Sequence, residues 1–211
     1  MEEEFQRLLE RTFAFHEAVV THAQSLEPAE DLRAVIAFQS GLLALEHGSA
    51  SLQLVASGHM TSAHALMRPQ FESLVRGIWL AHAANDNWVM KLSEPLTAEN
   101  AKRANEGPML ADMFKDLDAS EAAPAQIVAQ LKEYRDVTWK ALNSYAHGGL
   151  HPLARVVTGY PPQLIFHTVR NSSAVLALTA QLLSLMTYDA AAMEPVRRMH
   201  REFADCLPIL K

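Results

Sequence analysis

Apolar residues recur every three to four positions through most of the chain, and the period-two alternation of a half-buried strand is almost absent. A first helical pattern covers about residues 3–25 through Phe5, Leu8, Leu9, Phe13 and Phe15, and breaks before Pro28. A second runs from Pro28 to about Ser57 through Leu32, Val35, Ile36, Leu42, Leu43 and Leu45, with Gly58 as its stop. A third carries Met67, Phe71, Leu74, Val75 and Ile78 as one stripe. Residues 86–123 are more polar and are broken at Pro95 and at Asn105-Glu-Gly-Pro108, which predicts short helices laid across the others. A fourth long pattern holds Ile127, Leu131, Tyr134, Thr138, Ala141, Leu142 and Tyr145 between Pro124 and His147, where Gly148-Gly149 supplies a stop. The segment from Gly148 to Pro162 is the least helical, and Arg155-Val-Val-Thr158 suits a short extended piece. A fifth helix then reaches about Tyr188, and a last one starts near Asp189 or Pro195 and ends by Leu207. The pattern predicts an all-α, up-and-down bundle of about five or six long helices with a short-helix insertion near residues 86–123, in a single domain over 1–211.

The third helix breaks the usual pattern of one apolar and one polar face. Arg68, Glu72 and Arg76 form a row one turn apart beside the apolar stripe, and Trp79 projects between Arg68 and Glu72. The remaining side holds Leu66, Pro69, Ser73, Gly77, Leu80 and Ala84, which suit a neighbouring helix better than water. The row therefore reads in three ways: a solvated stripe, a buried ion network, or a ligand site. Pro69 marks either a kink in a continuous helix, with the Ala65 carbonyl unpaired, or a first helical turn. At the other end of the fourth helix, His147 falls near a carbonyl-rich terminus that favours a cationic imidazole donor.

Composition narrows the classes. The chain is 49% hydrophobic over 211 residues, enough for a substantial core. Cys206 is the single cysteine, so no disulfide forms within the chain; with the acidic start Met1-Glu-Glu-Glu this suggests a cytoplasmic setting, and Cys206 reads as a buried, inert thiol. The apolar run from Ala174 to Met186 is short for a bilayer span, so no membrane association is expected. A net charge of −6 gives no general attraction to RNA.

Ten histidines invite a metal, yet no glutamate has a histidine three residues later, and His147-x3-His151 is interrupted by two glycines. His82 and Asp86 have the spacing of a satisfied helical pair. Neither a metal nor a cofactor is expected. There is no glycine-rich phosphate loop and no nucleophile elbow.

The order Glu46-His47, Gly58, Arg68-x3-Glu72-x3-Arg76-x2-Trp79 and Ser144-x2-His147-Gly-Gly resembles a group of uncharacterised bacterial helical proteins of the domain-of-unknown-function type, over roughly residues 35–170. More distantly that group is similar to the higher-eukaryote-and-prokaryote nucleotide-binding (HEPN-like) superfamily. The resemblance implies a helical bundle that is commonly dimeric, in a superfamily that includes metal-independent ribonucleases of toxin and phage-defence systems. The ribonuclease motif, Arg then four to six residues then His, is met by Arg11/His16 and by Arg76/His82, about as often as random placement gives.

Two functional readings follow. In the first, Arg68, Glu72, Arg76, Trp79 and His147 form an interhelical polar cluster of a non-catalytic interaction or ligand-binding module, expected to be a homodimer, with a small anion or nucleotide as ligand. In the alternative, a metal-independent ribonuclease, the catalytic candidates are Arg76, Ser144, His147 and His151.

Overall fold

The structure is a computed structural model and describes residues 2–103 and 107–208. Among these residues lie nine α-helices: α1 (Glu2–Gln24), α2 (Leu32–Ala56), α3 (Met60–His82), α4 (Asp86–Leu92), α5 (Leu110–Ala119), α6 (Ala125–Ala146), α7 (Leu150–Thr158), α8 (Pro162–Leu185) and α9 (Met193–Glu202). Short 3₁₀ turns occupy Asn100–Arg103, Ala190–Ala192 and Ala204–Cys206. The molecule is an all-α bundle, but the expected five or six helices are corrected to nine. The main surprises are α7, where a short extended piece was expected, and α9, only 10 residues long. Of the break expected at 105–108, residues 105 and 106 lie outside the described residues.

Local chemistry accounts for several boundaries. Asp31 caps α2 by accepting from the Ala34 amide at 3.1 Å, and Asn85 caps α4 by accepting from Trp88 at 3.1 Å. Gly58, with φ of +77°, lets α2 turn into α3 within three residues. Helix α3 runs through Pro69, which leaves the Ala65 carbonyl without its intrahelical amide and settles the first-turn alternative against it. Its C-terminus is held by Arg33, whose Nη1 donates to the carbonyls of Leu80 (2.6 Å) and Ala84 (2.8 Å). Arg33 also takes Asp86 (2.8 Å), so Asp86 pairs across the fold and not with His82.

Helix α3 is the centre of the bundle, packed by α2, α5, α6 and α8, and this is why its sequence lacks a conventional solvent face. Phe71, Leu74 and Trp79 of α3 are fully buried with Phe15 of α1 and with Leu176 and Leu183 of α8. Two glycines allow close approach. A Cβ on Gly77 would stand 2.5 Å from Leu182 Cδ2 and 3.1 Å from the Ala37 carbonyl oxygen, and one on Gly41 would stand 2.8 Å from Leu183 Cδ2. Helix α1 closes the bundle against α8, α9 and the last 3₁₀ turn. There Arg11 donates to both carboxylate oxygens of Asp205 (3.1 and 3.0 Å), a contact that holds Asp205 below the usual carboxylate range. Cys206 is fully buried, and burial raises its thiol. No helix among the described residues is long and apolar enough to cross a membrane.

His16 of α1 is 6% exposed, and burial pulls its pKa down to about 4. A neutral imidazole favoured by folding contributes stability that is complete above the unfolded value near 6.5 and is lost as pH falls toward 4. The expected loss is on the order of 2–4 kcal/mol between pH 7 and pH 4. Urea denaturation at a series of pH values measures it. His16→Gln should flatten that slope; a variant with the wild-type slope would place the titration elsewhere.

Candidate functional site

The i, i+4 spacing on α3 produces a polar row of His64, Arg68, Glu72 and Arg76 along the seam with α6. Arg68 sits at its middle. Its Nε donates to Glu72 Oε1 at 3.1 Å, its guanidinium lies 5.0 Å from the centre of the Trp139 ring, and its Nη1 meets His147 Nε2. A guanidinium only donates, so a hydrogen bond here asks His147 Nε2 to accept. His147 is the C-cap of α6, its amide donating to Asn143 O at 3.1 Å, and Gly148 follows with φ of +66°.

Arg68 and Glu72 retain 22% and 32% side-chain exposure, so their pair stands between the solvated stripe and the buried network. Arg76 differs. It is half-buried, it makes no hydrogen bond or ion pair among the described residues, and burial pulls its pKa down against the attraction of Glu72. Gly107 lies against it; a Cβ there would be 3.2 Å from Arg76 Nη1.

The other residues singled out from sequence are placed elsewhere. Trp79 is fully buried in the core, with Nε1 donating to Asp116 Oδ2 at 2.9 Å. Ser144 Oγ accepts the His151 amide at 3.0 Å and so caps the start of α7, which leaves its hydroxyl committed to the backbone. Gly149 must be small there, since a Cβ would lie 2.7 Å from that hydroxyl oxygen. The His151 ring is exposed, 6.0 Å from Tyr145. His82 is half-buried and lines an open groove of about 540 Å³ with Arg33, Asn85, Asp116 and Ser120.

Sequence reasoning missed the lower end of the row. His64 is buried between the rings of Tyr145 (4.4 Å) and Tyr160 (5.2 Å). Its Nδ1 donates to the Met60 carbonyl at 2.7 Å, and its Nε2 faces Thr168 Oγ1 at 2.8 Å. Burial lowers its pKa, which favours the neutral ring. The Tyr145 hydroxyl is buried beside Tyr160 and Arg155, and burial together with Tyr160 pushes it up to about 12. The available signal was spacing: His64 stands one turn before Arg68 on the same face, and Trp139 and Tyr145 lie on the helix that ends at His147.

Among the described residues no three His, Cys, Asp or Glu side chains converge as a metal-binding group would. The arrangement is an interhelical Arg/Glu/His network, with a second ion pair, Arg11–Asp205, closing α1 onto the C-terminal turn. No match to the chain is found among curated proteins or among solved structures. A family model does match, over residues 41–209, which takes in most of α2 and the whole of the α3–α6 seam. The chain therefore belongs to the all-helical family of unknown function DUF6988.

Proposed function

We propose that the chain is a cytoplasmic binding module whose α3–α6 seam holds a small anion, a phosphorylated or carboxylated molecule, between Arg76 and Arg68. The observation that carries this reading is Arg76. A half-buried guanidinium presents five donors, and none is taken by an acceptor among the described residues. Glu72, the carboxylate that attracts it among the described residues, is already engaged by Arg68. The row of Arg68, Glu72 and Arg76 thus keeps one surplus positive charge in a chain of net charge −6. A planar bidentate acceptor such as a carboxylate or phosphate suits a guanidinium in that condition. Arg68 and Arg76 stand two turns apart, about 12 Å along the axis, so a ligand reaching both carries a second group toward Trp139 and His147.

Thermal-shift and calorimetric titration with inorganic phosphate, nucleotides and dicarboxylates tests this. A true ligand at about 100 times its Kd adds about 2.7 kcal/mol of stability. Arg76→Ala should abolish the shift while leaving the unliganded protein at least as stable. Glu72→Ala should cost about 1 kcal/mol or less, because the pair it breaks is partly exposed, and should tighten anion binding by removing a competing carboxylate. The reading fails if no anion shifts the melting temperature, or if Arg76→Ala keeps the shift.

The HEPN-like ribonuclease alternative gains less support from the motif positions. His16 is in the core and Arg11 is bound to Asp205. Arg76 and His82, six residues apart on α3, point about 120° apart around the helix. Cleavage of single-stranded RNA in EDTA that His147→Ala removes would replace the binding reading with this one.

A further inference from the structure

We propose that α7 is a self-association surface, through which two copies of the chain pair α7 against α7 about a two-fold axis. The proposal is independent of the anion reading and starts from an inverted helix. Leu150, Leu153, Val156 and Val157 are 79, 67, 72 and 86% exposed. At about 100° per residue they cover about 120° of the helix circumference, a continuous outward stripe. The inward side carries buried Pro152 and half-buried Arg155, which lies against Tyr145. A solitary surface helix would show the opposite arrangement, polar side outward.

The area is of the right order. Four aliphatic side chains so exposed present about 500 Å², at the upper end of what monomer surfaces show. Two such patches facing each other remove about 1,000 Å², where specific interfaces begin, before any flanking residue is counted.

Charge selects the second copy as occupant. From Val137 through Tyr188, about a quarter of the chain, no aspartate or glutamate occurs, although the chain has 24 of them and a net charge of −6. Two copies approaching by most faces would oppose carboxylates; approaching by α7 they do not. Depletion of charge around an apolar patch is the composition of an interface core. A two-fold pairing asks only that the patch complement itself, and an uncharged aliphatic stripe does. An anionic lipid surface fits less well, since α7 is 9 residues long and its single basic residue other than His151 is the half-buried Arg155.

The test is the solution mass of the full chain by light scattering after gel filtration, from about 1 to about 100 μM. Wild type is expected to run as a dimer, and Leu153→Asp/Val157→Asp as a monomer with the same far-ultraviolet helical signal. Should that variant fail to fold, Leu153→Cys supplies a second readout. Cys206 is fully buried, so mild oxidation should give a covalent dimer through position 153, whereas Met90→Cys, at a position 57% exposed on α4, should not. A wild type that stays monomeric at about 100 μM overturns the proposal. So does a dimer that survives the double substitution. Binding of monomeric wild type to phosphatidylserine vesicles, lost in the double variant, would assign the face to lipid and overturn it as well.

Discussion

Gly77→Val is expected to lower stability by about 3 kcal/mol or more, enough to unfold a chain of ordinary stability when warmed modestly. Two effects compete at this site. Replacing a mid-helix glycine gains roughly 0.5–1 kcal/mol of helix propensity. Against it, the new Cβ would meet Leu182 Cδ2 at 2.5 Å, the Ala37 carbonyl oxygen at 3.1 Å and Ser40 Cβ at 3.4 Å. The leucine tip can rotate away, but the Ala37 carbonyl is backbone of α2 and moves only if the two helices separate. Crowding therefore wins, and a β-branched residue worsens it by filling both sides of the gap. Gly77→Ala should lose less, about 1 kcal/mol, because propensity offsets more of the crowding. Urea midpoints at constant m-value measure both. A valine variant as stable as wild type would mean that α2 and α3 do not cross this closely.

Trp79→Ala should cost about 3–5 kcal/mol, the largest loss expected from removing one side chain here. Trp79 is fully buried, so the substitution leaves an indole-sized void among α3, α4 and α5, and it takes away the donor to Asp116. Trp79→Phe separates the two contributions. It keeps most of the buried ring and loses the hydrogen bond, for an expected cost of about 1–2 kcal/mol, since exposed Asp116 can be rehydrated. The measurement is again equilibrium unfolding, read with anion titration. An alanine variant that keeps its stability but loses anion binding would return Trp79 to the ligand site.

Trp79 also shows where sequence reasoning ran out. Its angular position on the third helix, between Arg68 and Glu72, was legible, but an angle does not say which neighbour stands there. At that level of the helix the neighbours are α4 and α5, from the polar segment whose packing no periodicity reveals. Arg68, Glu72 and His147 were brought together because their placement depends on strong regular features: a one-turn spacing, and a helix stopped by two glycines. Their meeting across the seam was one of the readings the pattern offered, whereas the role of Ser144, whose hydroxyl caps the next helix, was beyond it. That cap is also why α7 was missed. Gly148-Gly149 reads as a stop, yet a glycine at φ +66° preceded by a side-chain acceptor, Ser144 Oγ, 3.0 Å from the His151 amide, starts a new helix after a sharp turn. Counts failed where helices are short, because nine or ten residues hold too few periodic positions to be distinguished from a loop.

The closure of α1 onto the C-terminal turn has a consequence in time. Helices α2 and α3 are joined by three residues and pack along their length, so they can associate as soon as both have been made. Helix α1 is made before either and meets α2 at Leu52 and Val55, but most of its packing is against α8, α9 and the last 3₁₀ turn, and Arg11 waits for Asp205, 194 residues later. During synthesis the part of its apolar face around Phe15, which stacks on Phe203, stays uncovered until those elements exist. The last step of assembly is then the docking of the first helix. Substitutions at Arg11 or Asp205 should consequently act mainly on the unfolding rate and leave the early hairpin untouched.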